Sequence, residues 1–154
     1  MREMQRTDRG RDPPGVRQVS VFVENGVGVL ATLVGVFEDT DVHTLALTVV
    51  QGYDCAIVRF VFNDTDMATR LLREADYRFS ICELVAVEMP SGGDGLAKIG
   101  KALLSAEVDI HYCYGLITSP QRKAAIVIHV DNPSLASTVL EETRFNLIGE
   151  SDLR

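Results

Sequence analysis

The chain has 154 residues, 46% hydrophobic and 24% charged, the composition of a soluble globular protein with one conventional domain or two small ones. Fifteen Lys and Arg against 22 Asp and Glu leave a formal charge of −7, so the attraction to phosphate backbones is missing and the expected partners include neither nucleic acid nor an anionic membrane. The longest uncharged stretch of the first half, Asn25 to Phe37, has 13 residues and three glycines against the roughly 18 apolar residues of a membrane span, and no apolar signal region opens the chain, which points to the cytoplasm.

Residues 1–15, MREMQRTDRGRDPPG, carry four Arg and three acids without apolar periodicity, and are expected to form a disordered tail. From Val16 the pattern changes. Val19, Val21 and Val23 alternate with polar Gln18, Ser20 and Glu24, as in a half-buried strand. A turn at Asn25-Gly26-Val27-Gly28 leads into Leu30, Leu33, Val34 and Phe37, the apolar stripe of a helix, which Asp39-Thr40-Asp41 stops. Val42–Val50 and Cys55–Phe62 are β-rich runs, separated by a connection short enough only for a hairpin. Asp64 or Thr65 can cap a second helix with Met67, Leu71, Leu72 and Ala75 inward, and Tyr77–Cys82 is strand-like again.

This β-α-β-β-α-β order is the ferredoxin-like unit, and the second half repeats it. Leu84–Met89 is a strand, Ser91–Gly95 a glycine-rich turn, and Leu96, Ile99, Leu103 and Leu104 a helical stripe. Val108–Ile117 and Ala124–Val130 make the hairpin. Asn132 caps a helix with Pro133 at its first position, lined by Leu135, Val139 and Leu140, and Phe145–Ile148 begins the last strand. Direct matches support the duplication: Asp41-Val42-His43 recurs as Asp109-Ile110-His111, Ala56-Ile57-Val58 as Ala125-Ile126-Val127, and Arg78-Phe79 as Arg144-Phe145, always 66 to 69 residues apart. Units at 16–83 and 84–154 therefore follow one another without a linker. The expected fold is α+β, two such units side by side in one antiparallel sheet of roughly eight strands with the helices on one face. Leu45, Leu47 and Val49 alternate with Val42, Thr44, Ala46 and Thr48, so both faces of that strand are largely apolar and the uncovered face is expected to be buried in a homo-oligomer, a homodimer.

Val19–Val50 resembles the first half of an ACT domain, a small regulatory unit that binds amino acids, in which a strand ends in Asn or Asp, followed by x-Pro-Gly and a Leu that starts the helix. Asn25, Gly28 and Leu30 hold those places, with Val27 where the family has Pro. In the second copy Ser91, Gly93 and Asp94 stand at the Asn, Pro and Gly places. Residues 16–154 as a whole resemble small proteins made of two ACT units.

A turn before a helix leaves N–H groups that attract a carboxylate, glycines admit a ligand close to the main chain, and Asn25 Oδ1, loop carbonyls or Asp109 can accept from an ammonium. The alternative for Gly26 and Gly28 is a tight turn with no ligand. Asp41/His43 and Asp109/His111 each share a strand face and would suit a ligand or metal, yet no third metal ligand lies nearby in sequence; the alternative is a turn-capping Asp and a sheet-filling His. His129 reads as a lone core or interface histidine. Cys55, Cys82 and Cys113, 27 and 31 residues apart in apolar runs, read as small buried hydrophobes. Catalytic signatures are absent from the sequence, so neither catalysis nor a cofactor is expected.

The resemblance thus implies a cytoplasmic regulatory protein that binds a free amino acid between its two units. The family's arrangement implies a site of Glu24, Asn25, Gly26, Val27, Gly28, Val29 and Leu30 from the first loop, closed by Asp109, His111 and Tyr112. The second loop is expected to bind less well, because the Asp94 carboxylate competes for the same N–H groups. The alternative is a regulatory subunit of an amino-acid biosynthetic enzyme that binds no ligand, with that metabolic enzyme as its partner.

Overall fold

The computed structural model describes residues 15–119 and 122–154; the tail expected over residues 1–15 lies, but for Gly15, outside the described residues. The elements follow in the order β1 (Val16–Glu24), α1 (Val29–Gly35), β2 (Thr44–Gln51), β3 (Cys55–Phe62), α2 (Thr65–Glu74), β4 (Arg78–Glu88), α3 (Gly95–Ser105), β5 (Ile110–Gly115), β6 (Ala125–Val130), α4 (Pro133–Glu142) and β7 (Leu147–Ile148), with a closing 3-10 turn at Glu150–Leu153. The chain divides into two compact units, one built on Arg17–Cys82 and the other on Glu83–Leu153. The strands pair as β2-β3-β1-β4 in the first and β5-β6-β4-β7 in the second, the same ferredoxin-like order twice.

The described strands number seven, against the roughly eight expected. The last strand of one copy and the first of the next are a single strand, β4, because RFSICELVAVE contains no Gly, Pro or Asn at which it could turn. No helix among the described residues is long and apolar enough to cross a membrane.

In the first unit, the inward face of β1 (Val19, Val21) lies opposite Phe60 and Val58 of β3. Onto that face pack Leu33 of α1, Phe37 just beyond it, and Ala68 and Leu72 of α2. Phe62 sits 4.9 Å from Phe60 and 4.8 Å from Phe37, ring centroid to centroid, so aromatic contacts fasten the end of α1 to the central strand. The inner side of α2 is Thr65, Ala68, Thr69 and Leu72; of the expected Met67, Leu71, Leu72 and Ala75, Leu72 is buried and Leu71 packs at the core's edge, whereas Met67 and Ala75 are exposed. Asp64 accepts from the Met67 N–H as N-cap, which sets the phase of the helix and leaves Met67 on its flank. The second unit repeats this construction with Val85, Val87, Ile128 and Val130 under Ile99, Leu103, Ala136 and Leu140. Asn132 caps α4 through the Leu135 N–H at 3.1 Å, as expected, with Pro133 at the first turn.

The duplication extends to residues whose types differ. A left-handed residue follows every α-helix: Asp39 and Asp76 in the first unit, Glu107 and Arg144 in the second, with Asp39 and Glu107, and likewise Asp76 and Arg144, 68 apart. After α2 and α4 the chain closes identically, with Tyr77 N–H donating to Leu72 O and Phe145 N–H to Leu140 O, both at 2.9 Å.

The cysteines are not the buried hydrophobes expected: Cys55 and Cys113 are exposed and Cys82 is half-buried, and none of the three is in a disulfide. Ala56, Val58 and Phe60 take the core side of β3, so strand alternation turns Cys55 outward; Cys113 lies on β5, the outermost strand of its unit's pairing order.

Candidate functional site

Strand β1 ends with Phe22 and Glu24 exposed about a half-buried Val23, and Glu24 stands at its tip beside Cys55 of β3. Next comes Asn25, whose side-chain amide donates to Gly52 O at 3.3 Å and Tyr53 O at 3.2 Å. Those two bonds tie the β1–α1 loop to the β2–β3 hairpin turn, which Gly52 closes by donating to Cys55 O at 2.8 Å. Gly52 needs to be glycine because a Cβ there would meet that carbonyl oxygen at 2.9 Å. Gly26 is tight too, since a Cβ there would meet a Val29 methyl at 3.1 Å.

Val27 projects fully into solvent and Gly28, at φ 80°, turns the chain into α1. The turn is closed by Gly28 O, which accepts from both the N–H and the hydroxyl of Thr32. Gly28 is thus required by backbone conformation rather than by lack of space, since nothing lies within 4 Å of where its Cβ would be.

Under this loop the hairpin and α1 border an open recess of about 170 Å³. Its wall is aliphatic: Val23, Val29, Leu30, Val49, Ala56 and Val58. Its polar side chains are Glu24, Asn25 and Gln51, and Glu24 is the sole charged residue of the lining among the described residues. A wider hollow of about 380 Å³ runs along the loop's other side, between Gly28, Thr32 and Phe22, Tyr77. Five of the seven loop residues expected to bind, Glu24, Asn25, Gly26, Val29 and Leu30, line the recess, and Val27 and Gly28 line the wider hollow with Glu24 and Val29. Val49, Gln51, Ala56 and Val58 were not foreseen as neighbours of the loop. The signal for them is the short hairpin connection, which returns β3 to the end of β1, together with the alternation that turns 56 and 58 inward.

The remaining expected residues, Asp109, His111 and Tyr112, belong to the second unit, where they form a cluster with His129. His129 is not a lone core histidine: its Nδ1 lies 2.9 Å from His111 Nδ1, and its ring stacks on Tyr112 at 4.7 Å and 9°. Asp109 Oδ2 approaches His111 Nε2 at 3.5 Å, the shared strand face that the i, i+2 spacing implied. The Asp109 N–H donates to Asp131 Oδ1 at 3.0 Å, which fixes the start of β5. In the first copy Asn63 performs that task, accepting from the His43 N–H at 2.7 Å and donating to Asp41 O at 3.0 Å. There the bonds run through the Asp41 and His43 main chain. Among the described residues no group of three or more His, Cys, Asp or Glu is placed to hold a metal.

The second loop differs in kind. Asp94 is the N-cap residue of α3 without a side-chain cap bond, and its carboxylate lies 3.4 Å from Lys98 Nζ. Gly92 takes the positive φ of 102°, and Gly95 packs so closely on Pro90 that a Cβ would meet it at 3.0 Å.

The family model of the ACT domain pair matches residues 15–154. Among solved structures, protein BT0572 from Bacteroides thetaiotaomicron is 27% identical with a TM-score of 0.83, over 92% of this chain and 97% of that one. The ligand-free regulatory subunit of aspartate kinase from Thermus thermophilus is 14% identical with a TM-score of 0.58, over 82% and 89% of the two chains. A structure of aspartokinase alpha and beta subunits is 18% identical with a TM-score of 0.53, over 84% and 92%; these last two show likeness of fold alone. No curated protein sequence matches the chain. A double βαββαβ construction, a glycine turn after the first strand and a family match over nearly the whole sequence lead to one conclusion: the chain belongs to the ACT domain pair family.

Proposed function

We propose that this protein is a non-catalytic regulatory sensor that binds a small free amino acid at the Glu24–Leu30 loop and transmits the bound state to a partner or to its own assembly in the cytoplasm. The observation that carries this reading is the recess beneath the loop. It is of single-metabolite size, well below the roughly 300–1,000 Å³ of drug-sized pockets. Glu24 and Asn25 offer it an anion and an amide where a ligand ammonium needs acceptors. Membership of a family of regulatory units and the shared fold of an aspartate kinase regulatory subunit support the regulatory part.

The test is a thermal-shift screen of the twenty amino acids followed by calorimetry of any hit. A ligand that binds the folded state alone stabilises it by about 2.7 kcal/mol at one hundred times its Kd, enough to read as a clear rise in Tm. Failure of every amino acid at millimolar concentration would refute the sensor reading and leave a regulatory subunit without a ligand.

A further inference from the structure

Resting on the amino-acid reading above, we infer that the ligand is an amino acid with a branched aliphatic side chain, of the valine, leucine and isoleucine class, and that the recess between α1 and the β2–β3 hairpin receives that side chain. Six of its lining residues are aliphatic: Val23, Val29, Leu30, Val49, Ala56 and Val58. They come from four elements that the Asn25 bridge to Gly52 and Tyr53 holds together, so the wall is formed before any ligand arrives. Its volume of about 170 Å³ is of the order of one small side chain with its main-chain atoms.

Charge decides against the other classes. Among the described residues Glu24 is the sole charged member of the lining and no cation lines the recess, so a ligand side-chain carboxylate would be desolvated beside a like charge. A lysine-type ligand would lose the hydration of its terminal ammonium against aliphatic walls, whereas its α-ammonium at the rim meets Glu24 in water. Serine- and glycine-sized ligands leave the wall unfilled. Each methylene missing from an apolar pocket costs roughly ten-fold or more in discrimination.

Two of the wall residues are accessible enough to change without unfolding the protein. Val49, on the outermost strand β2, is 45% exposed and Leu30 is 40% exposed. The experiment is calorimetric titration of the full chain with leucine, isoleucine, valine, alanine, serine, aspartate and lysine, repeated on Val49→Glu and Leu30→Gln proteins with circular dichroism as the check on folding. A branched aliphatic ligand is expected to bind at least ten-fold more tightly than alanine or serine, and either folded variant is expected to weaken it by ten-fold or more. Tighter binding of serine, aspartate or lysine overturns the aliphatic assignment and leaves the sensor reading standing. Tight leucine binding that both folded variants leave intact also overturns it, since the side chain then lies elsewhere. If none of the amino acids binds, the sensor reading itself has failed.

Discussion

Replacing Gly28 by alanine separates backbone strain from steric exclusion, because its companion control is built into the same helix. Gly28 and Gly35 open and close α1, and at both the space around an added Cβ is empty to 4 Å. They differ in backbone: Gly28 sits at φ 80°, and Gly35 shows no positive φ. A non-glycine residue in the left-handed region costs roughly 1–2 kcal/mol, and a β-branched one falls at the upper end of the 1–3 kcal/mol range for such strain. Gly28→Ala is therefore expected to destabilise by about 1 kcal/mol and Gly28→Val by about 2–3 kcal/mol. Gly35→Ala removes chain entropy from the unfolded state and is expected to stabilise by about 0.5–1 kcal/mol. Urea denaturation followed by circular dichroism reads all three against the parent, with unchanged m-values required for the comparison. Gly28→Ala as stable as the parent, or Gly35→Ala as damaging as Gly28→Ala, would refute the assignment of Gly28 to a strained turn.

The N-caps of the second helix of each unit are equivalent, so Asp64→Ala and Asn132→Ala should each cost about 1 kcal/mol in urea denaturation, and a loss at one without the other would break the equivalence. The hydrogen bond from Arg17, with its charge, holds the Asp66 carboxyl below the usual carboxylate range at 2.8 Å. A carboxylate whose folded pKa is depressed adds stability above its unfolded value, so the small excess of the parent over Asp66→Asn should be present at neutral pH and vanish as pH falls through the folded pKa; an excess that grows on acidification would contradict it. Native-state labelling with a maleimide should modify Cys55 and Cys113 quickly and half-buried Cys82 slowly, by mass spectrometry; equal protection of all three would overturn their placement.

The duplication was legible because the apolar positions, the hairpins and the Asp41-Val42-His43 and Asp109-Ile110-His111 triplets recur at nearly constant offset. Cap chemistry was legible for the same reason, since Asn-Pro before an apolar run has few other uses. The joining of two expected strands into β4 was not, because the periodicity of Tyr77–Cys82 and Leu84–Met89 is equally compatible with a break and with continuation through Glu83. The facing of the cysteines is not legible in the sequence, because an apolar neighbourhood says nothing of which side of a sheet a residue takes. The His111–His129 pair depends on the irregular register of β5 with β6, where Ile110 faces Val130 but Tyr112 faces His129. Such a bulge leaves no mark in the amino-acid pattern. For the site, the glycine turn was read from its residues, and the aliphatic wall beneath it was supplied by a hairpin some 25 residues further on.

The central claim, that the loop after β1 is a binding site rather than a turn alone, is tested most directly by calorimetric titration of the 154-residue chain with leucine. The account predicts saturable binding with about one site per chain, abolished or weakened at least ten-fold in a folded Gly28→Val protein. Undiminished leucine affinity in that variant, or no heat of binding for any amino acid in the parent, would contradict it.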